Sequence, residues 1–581
     1  MKSRIRLLLL GLLMVSLNAI GQERNVTGKV TNAENSEPLV GVTVTNTKTN
    51  KRTQTDAQGN FSLQASTGDA LQFSFVGFTR RTVTVGSSGT YNIAMVATDS
   101  DLGEVVVTAF GIKRQKKSLG YATQEIKGDE VAETQRENFI NSLQGRVAGA
   151  TVNSTSGAPG ASAQIVLRGF NSLSGSNSPL FILDGLPVNN NSFNQGLLAS
   201  DLPNRSNDYS NRGIDINPDD IESITILKGP EATALYGIDA GSGAIVITTK
   251  KGKAGKLKIS YDNSFRAEFL YRFPDIQTVY STGVNGAYDS TTRNRFGPKW
   301  PEGTQLYDNV RNFFDVGFSQ KHNINFQGGS KKFTYRANAT FQDQQGAIPN
   351  TRFTRFAPRL TLDNQIGNKL KVTNTIGYTH TFNRKAFRGA GGFLNNLMLW
   401  PNDDNVKDWE TTDGGRRKVV DDPNFAEADN PYWDVYRNQN IDRNDRYIYN
   451  LSVSYDPLKW LNITGRGGVD WFHLYGEYMY HPQSNPFRTV GGLHEYYKQD
   501  FRSFNGNLIA TAKHKIGKFG STIRVGTAID DFKTKSWSER SEQIGTFFDF
   551  FANTDPARRQ NSRQRGRDTL TQRRLQGVFG E

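Results

Sequence analysis

Phe333-Thr334-Tyr335-Arg336-Ala337-Asn338-Ala339-Thr340-Phe341-Gln342 is the stretch on which the reading of this chain turns. Its odd positions are aromatic or small and apolar, and its even positions are polar or charged. Successive side chains of a strand point to opposite faces, so the run is a β-strand with one face for an apolar medium and one for water. The same period returns at Leu257–Asp262, Val372–Phe382, Tyr447–Tyr455, Leu461–Trp471 and Ile523–Ile529. Alternation of this kind suits a soluble sandwich, and equally a barrel with lipid outside and water inside. Connector lengths separate the two. Strands around 256–266 and 320–328 are joined by a long loop, and Gly329-Ser330-Lys331 is short. A medium loop precedes a strand around 354–366, and Gly367-Asn368-Lys369 is short again. Then come the long Asn383–Asp445, the short Asp456-Pro457-Leu458-Lys459, the long His481–Asp500 and the short Gly517-Lys518. Short turns at one end and long loops at the other belong to a membrane barrel, and a sandwich has no reason to keep that rhythm.

Upstream, the chain begins with an export signal. Lys2, Arg4 and Arg6 form a basic start, Leu7–Leu17 an apolar core, and Ala19-Ile20-Gly21 a small-residue cleavage site before Gln22. No later apolar run reaches the roughly 20 residues of a membrane helix. The 581 residues exceed one ordinary domain, and 57 glycines, 11% aromatics and only 36% hydrophobic residues fit strands that are apolar on one side. With no cysteine there is no disulfide framework and no thiolate metal site. A net charge of +14 in an exported chain points to an anionic membrane surface, not to nucleic acid.

Residues 22–98 read as one compact β unit. Val26, Gly28 and Val30 alternate, Pro38-Leu39-Val40-Gly41 turns into Val42-Thr43-Val44, and Asp56–Asn60 is a strong turn before Phe61 and Leu63. Leu71, Phe73 and Phe75 put an apolar face on a further strand, and the whole suggests a small β-sandwich. It resembles the carboxypeptidase-regulatory-like domain, through GKVTN, PLVGVTV, TDAQGNFSL and LQFSFVGF. No catalysis comes with that resemblance: the sequence has no His-x-x-Glu pair, and His494-Glu495-Tyr496-Tyr497-Lys498 lacks the second histidine of a zincin motif.

Between this unit and the next, residues 99–117 carry a β-prone run, Glu104, Val105, Val106, Val107, Thr108 and Ala109, followed by Lys113, Arg114, Lys116 and Lys117. The run has no hairpin partner a turn away in sequence. It reads either as the last strand of the preceding unit or as a free strand kept for the sheet edge of another protein. Residues 118–252 are mixed α/β. Asn138–Gln144 and Ala232–Tyr236 read as short helices, Gln164–Leu167, Leu180–Leu183 and Gly243–Thr249 as strands, and Asp219–Leu227 as an αβ step. Glycine-rich turns abound here, yet no phosphate-binding glycine motif follows a strand.

LQGRVAGATV, IVLRGFNSLSGSNSPLFILDGLPV and INPDDIESITILKGPEATALYGIDAGSGAIVITTKKGK resemble the plug domain of the SusC/RagA family, the TonB-dependent outer-membrane transporters of nutrients. The order of signal, regulatory-like domain, EVVVTAFG and plug is that of the family. The resemblance implies that Glu104–Ala109 is a TonB box, which favours the free strand. It further implies a TonB-type energy-coupling protein in the periplasm and a SusD-like surface lipoprotein as lid. The cargo implied is a glycan or peptide oligomer, imported across the outer membrane without an enzymatic step. A siderophore or cobalamin receptor without a lid, and a surface binding protein that transports nothing, are the alternatives; the regulatory-like domain argues against the first.

The fold expected is therefore mainly β: a small sandwich, a mixed plug and, over 253–581, the first part of a large antiparallel transmembrane barrel. Nine full strands and the start of a tenth at Leu575–Phe579 can be read. About eight strands already fill a barrel with side chains, whereas plugged transporters use about 22, so further strands are expected beyond Glu581. Among the long loops, Asn383–Asp445 holds Trp400, Trp409, Tyr432 and Trp433 among Asp403, Asp404, Asp408, Asp421 and Asp422. The tryptophans are candidates for stacking on a sugar ring, and the carboxylates for holding Ca2+. Asn430-Pro431-Tyr432-Trp433 resembles a recurrent loop motif of the family, which implies a structural or lid-contact role. The six histidines share no ligand spacing, and no metal site is expected of them.

Overall fold

The computed structural model describes residues 23–580, apart from 34–35, 77, 97–104, 108–112, 116–122, 174–175, 194–206, 390–391, 420–428, 517–518 and 543–564. The export signal lies outside the described residues. Two compact units result, one built on residues 23–96 and one on 123–580.

The first unit is the expected sandwich. Arg24–Asn32 lies between Asn60–Ala65 and Ile93–Met95 in one sheet, and the other has the order Arg52–Gln54, Thr43–Asn46, Ala70–Ser74, Arg81–Thr84. Their alternating inward residues, among them Val26, Val30, Val44, Leu63 and Leu71, form one core, with Phe61 edge-on to Phe73 at 5.2 Å. Gly28 is fixed by space: a Cβ there would stand 1.8 Å from the Tyr91 carbonyl oxygen.

The β-prone run departs from expectation. Val105–Val107 does have a partner, Lys113–Gln115, with which it forms a two-stranded sheet of its own. A strand of two basic residues and a glutamine carries little β-propensity, so the pairing left no hydrophobic signal in the sequence. Two-stranded ribbons are marginal in water, so this one is easily opened.

In the second unit a five-stranded sheet has the order Thr123–Lys127, Ile221–Leu227, Ala244–Thr249, Leu180–Leu183, Leu186–Val188. Ile221–Leu227 and Ala244–Thr249 are rich in β-branched residues and buried on both faces, as central strands must be. A hairpin, Ala150–Ser154 with Ala163–Leu167, and a 3₁₀ turn at Phe139–Leu143 complete a core that includes Phe139, Leu143, Ile165, Phe181, Ile224 and Ile245. The expected helix at 138–144 is thus a 3₁₀ turn capped by Asn138, and the expected helix at 232–236 begins two residues earlier, at Pro230.

Ten antiparallel strands form the wall around this plug: β1 (Gly255–Glu268), β2 (Gly317–Gly329), β3 (Phe333–Gln345), β4 (Arg352–Ile366), β5 (Leu370–Arg384), β6 (Gln439–Leu458), β7 (Leu461–Tyr480), β8 (Leu493–Ile516), β9 (Phe519–Glu542) and β10 (Arg565–Gly580), each paired with the next. Burial on β3 is inverted relative to a soluble protein. On β3 the polar Arg336, Asn338, Thr340 and Gln342 are buried, whereas Phe333 and Phe341 are 40% and 42% exposed. That is the arrangement lipid demands of an outer face. The short turns after β2 and β4 fall as expected, that after β6 tightens because Asp456–Leu458 is still strand, and Gly517-Lys518 lies outside the described residues; the loop after β7 is shorter, because Leu493–Asp500 is already strand β8. The tenth strand likewise begins at Arg565, well before Leu575. Charged residues on the far ends of these strands hid them from an apolar-alternation reading.

Candidate functional site: the plug–wall interface and the outer loops

Because inward positions of the wall meet the plug, their chemistry decides how the plug is held. Those positions are rich in cations. Arg336 on β3 donates to Asp220 at 2.6 Å, Lys321 on β2 pairs with Asp219 at 3.0 Å, and Arg359 on β4 with Asp184 at 3.0 Å. Arg355 donates to the carbonyls of Glu137 and Ile214 at 2.8 and 2.9 Å. Fully buried Arg446 on β6 is held by both Asp470 oxygens at 2.8 Å and donates to the carbonyls of Arg212 and Asn189 at 2.8 Å. The Asp215 carboxylate lies 3.4 Å away. Asp470 in turn accepts from the Asn189 amide at 2.9 Å. The wall thus offers guanidinium and ammonium groups, and the plug answers with carboxylates and main-chain carbonyls.

The plug's apolar core is almost wholly its own; of the wall residues only Ile448 joins it. The interface is therefore rich in polar pairs but also holds a shared apolar patch, in which Phe193 and Tyr209 of the plug pack on Tyr497 in a cluster with Phe472 and Phe501 of the wall. Breaking one buried pair costs about 3–5 kcal/mol, because it strands a charge. Moving the plug out into water, however, rehydrates both partners of each pair. Such an interface is firm at rest and separable under load.

At the long-loop end, three short helices, Asn309–Phe313, Phe393–Leu399 and Pro431–Tyr436, share a cluster of Val310, Phe313, Leu397, Trp400, Val406 and Val435. The Asn430 side chain caps the last helix by accepting from the Tyr432 amide at 2.8 Å, and donates to the Val406 carbonyl at 2.8 Å. Trp433 donates through Nε1 to Ser484 Oγ at 2.8 Å, which ties this loop to the one after β7. Beside it, Asp429 accepts from Arg416 at 2.6 Å and from the Asn485 amide. Burial and the neighbouring Asp429 hold the Asp434 carboxyl well above the usual carboxylate range, against the donation of Asn396 and Asn438.

This corrects the sugar-stacking expectation for two of the three tryptophans. Trp400 is 2% exposed and Trp433 is fully buried, so neither ring has a face to offer. Trp409 is half-buried, with Tyr436 stacked on it at 5.6 Å and Arg437 over its ring at 5.6 Å. Asp404, offered as a Ca2+ ligand, accepts from Trp400 Nε1 and pairs with Arg417; Asp421 and Asp422 lie outside the described residues. Among the described residues no group of three His, Asp or Glu side chains converges as a metal site would require. Of the proposed box, Val105–Val107 belongs to the ribbon, whereas Glu104, Thr108 and Ala109 lie outside the described residues. The plug-binding cations went unnoticed in the sequence, although a signal was present: each sits at the inward parity of its strand.

Comparison with known proteins agrees with this division. Residues 115–244 match the TonB-dependent receptor plug domain, and residues 26–107 the CarboxypepD_reg-like domain. The chain is 30% identical over 478 residues to the TonB-dependent receptor SusC of Bacteroides thetaiotaomicron, a match covering 81% of this chain and 45% of SusC. To the TonB-dependent receptor P26 of Formosa agariphila it is 28% identical over 431 residues, covering 73% of this chain and 40% of P26. It therefore spans less than half the length of these relatives. The RagAB peptide importer in its open-open state has the same fold, with a TM-score of 0.62 at 20% identity, over 82% of this chain and 54% of that one.

Proposed function

The chain belongs to the TonB-dependent receptors of the SusC/RagA family, and on that premise we propose that it serves TonB-driven import of a glycan or peptide oligomer across the outer membrane. A SusD-like surface lipoprotein delivers the oligomer to the loop end of the barrel. Cargo bound above the plug then makes the Glu104–Ala109 strand available to a TonB-type partner in the periplasm. The strand offers main-chain N–H and C=O groups to that partner's sheet edge, either on the open side of the ribbon or by displacing Lys113–Gln115. Traction through this connection then moves the plug relative to the wall. The observation that carries the reading is the set of buried ion pairs by which the wall holds a plug that has a main core of its own. Residues of the wall hold and release; none is asked to do covalent chemistry.

The test is on the strand. Proline removes a main-chain donor and restricts its neighbour. In the full-length protein, Val106→Pro is expected to abolish growth on the oligomer that supports the parent strain, while surface binding of that oligomer and barrel assembly persist. Normal growth of the variant would refute the assignment of the box.

A further inference from the structure

The plug stands off the described wall in more than one place: cavities of about 370 and 280 Å³ beside β8–β10 are partly lined by apolar wall residues such as Phe501, Phe532 and Val578. Between the plug and β1–β3 lies a cavity of about 800 Å³. Every wall residue that lines it is polar, including Lys258, Ser260 and Asp262 of β1 and Asn325 of β2, and the plug adds Asp129 and Glu133. Toward the long-loop end, a void of about 10 Å³ follows among Ser264, Arg266, Ser319 and Gln342. The two share Ala132, Gln135 and Lys321, so they adjoin, and the seam narrows to a constriction where they meet.

The turn Gln135–Glu137 makes that constriction. Gln135 has a φ of 53°, a left-handed conformation that a non-glycine residue keeps only when its surroundings hold it. Arg266 does so from β1, donating to the Gln135 carbonyl at 3.1 Å and pairing with the Glu137 carboxylate. Arg355 does so from β4, through the Glu137 carbonyl at 2.8 Å. The turn also continues directly from the plug's edge strand, Thr123–Lys127, and the helix Gly128–Ala132. That strand has one neighbour, Ile221–Leu227, and is the first plug strand after the ribbon. A pull on the upstream chain thus loads this segment before any interior strand, at the cost of one ladder. Meanwhile Asp184, Asp215 and Asp220 keep the remainder of the plug on the wall.

We propose that solute leaves the lumen along this polar seam, and that the Gln135–Glu137 turn, clamped by Arg266 and Arg355, is its gate. The seam offers donors and acceptors of both signs and no apolar wall, which fits a hydrophilic oligomer and not a greasy solute. The proposal rests on the import reading above.

The absence of native cysteine makes the seam directly readable in the full-length protein on intact cells. The probe is an impermeant fluorescent maleimide. Ser260→Cys reports the seam. Thr375→Cys, inward on β5 and packed against Thr361, is the control outside it. Asp403→Cys, on an exposed loop, reports orientation. With the clamp intact, Ser260→Cys stays unlabelled from outside. Arg266→Gln with Arg355→Gln is expected to raise its labelling rate roughly tenfold or more, the equivalent of about 1.4 kcal/mol removed from the closed state, while Thr375→Cys stays protected. Glu137→Gln removes only the ionic arm and gives a smaller rise, which covers the case in which the double variant fails to assemble. No rise in either variant, or an equal rise at Thr375→Cys, overturns the proposal. Failure of Asp403→Cys to label would instead strike at the import reading itself.

Discussion

Asp434 is the residue at which burial most clearly opposes charge. With Asp429 beside it and little solvent, its carboxyl is held well above the usual carboxylate range in the folded loops. A carboxyl raised above its unfolded value stabilises fully below the unfolded range, near pH 4, and that contribution is lost as pH rises through the folded value. The loop cluster should therefore be firmer in mild acid. Asp434→Asn copies the protonated shape, and is expected to leave the loops intact and to flatten this pH dependence. Thermal melts of the purified full-length protein between about pH 4 and 7 would check this; a variant as pH-dependent as the parent would refute it. Arg446 shows the opposite case, a buried cation compensated by carboxylates and carbonyls on every side. Its role was legible only as a parity: an arginine among polar residues on the inward face of a strand. Which plug group it meets depends on contacts between residues more than two hundred positions apart, and no local pattern records those.

Elements were more legible than their contacts. The inward–outward alternation located most wall strands because lipid imposes a period of two on the sequence. The alternation fades where that pressure ends: the first residues of β6 and β8, 439–445 and 493–500, carry charged side chains and read as loop in the sequence. Val105–Val107 was legible as a strand but not as half of a ribbon, since Lys113–Gln115 has no apolar face. In the loops, Asn430-Pro431-Tyr432-Trp433 was recognisable as a motif, and the structure gives its physical content: a cap, a helix start and a buried indole that staples two loops. Asn430→Ala removes the cap, worth about 0.5–2 kcal/mol, and strips the Val406 carbonyl of its donor. Protease added to intact cells should then cut within residues 385–438 faster than in the parent, while the barrel keeps its heat-modifiable migration in SDS. Unchanged cleavage would mean that the cap is not what orders this loop.

At the scale of the whole molecule, the position of the apolar band follows from where charge resumes on the outer face. From the turn Gly367–Lys369 the outward residues of β5 run through Leu370, Val372 and Ile376 to Tyr378, about 26 Å of strand at roughly 3.3 Å per residue, close to the height of a barrel's apolar band. Tyr378, Tyr447 and Trp471 then stand side by side across three strands, with ring centres 5.0 and 5.4 Å apart, as in an interfacial aromatic girdle. Immediately beyond them His380 pairs with Asp445 at 2.8 Å and His473 pairs with Asp500, groups that belong in water or among headgroups and not in hydrocarbon. The membrane therefore lies between the short turns and this girdle, and the loop cluster of Trp400 and Trp433 stands outside. Thiol labelling can decide it, since any introduced cysteine is unique. On intact cells carrying the full-length protein, Asp403→Cys should react with the impermeant maleimide. Asn368→Cys, equally exposed but in a short turn, should react only once the outer membrane has been opened. The reverse pattern would invert the barrel, placing its long loops in the periplasm and its short turns at the cell surface. A lid on the long loops could then receive no oligomer from outside, and the import mechanism would fall with the topology.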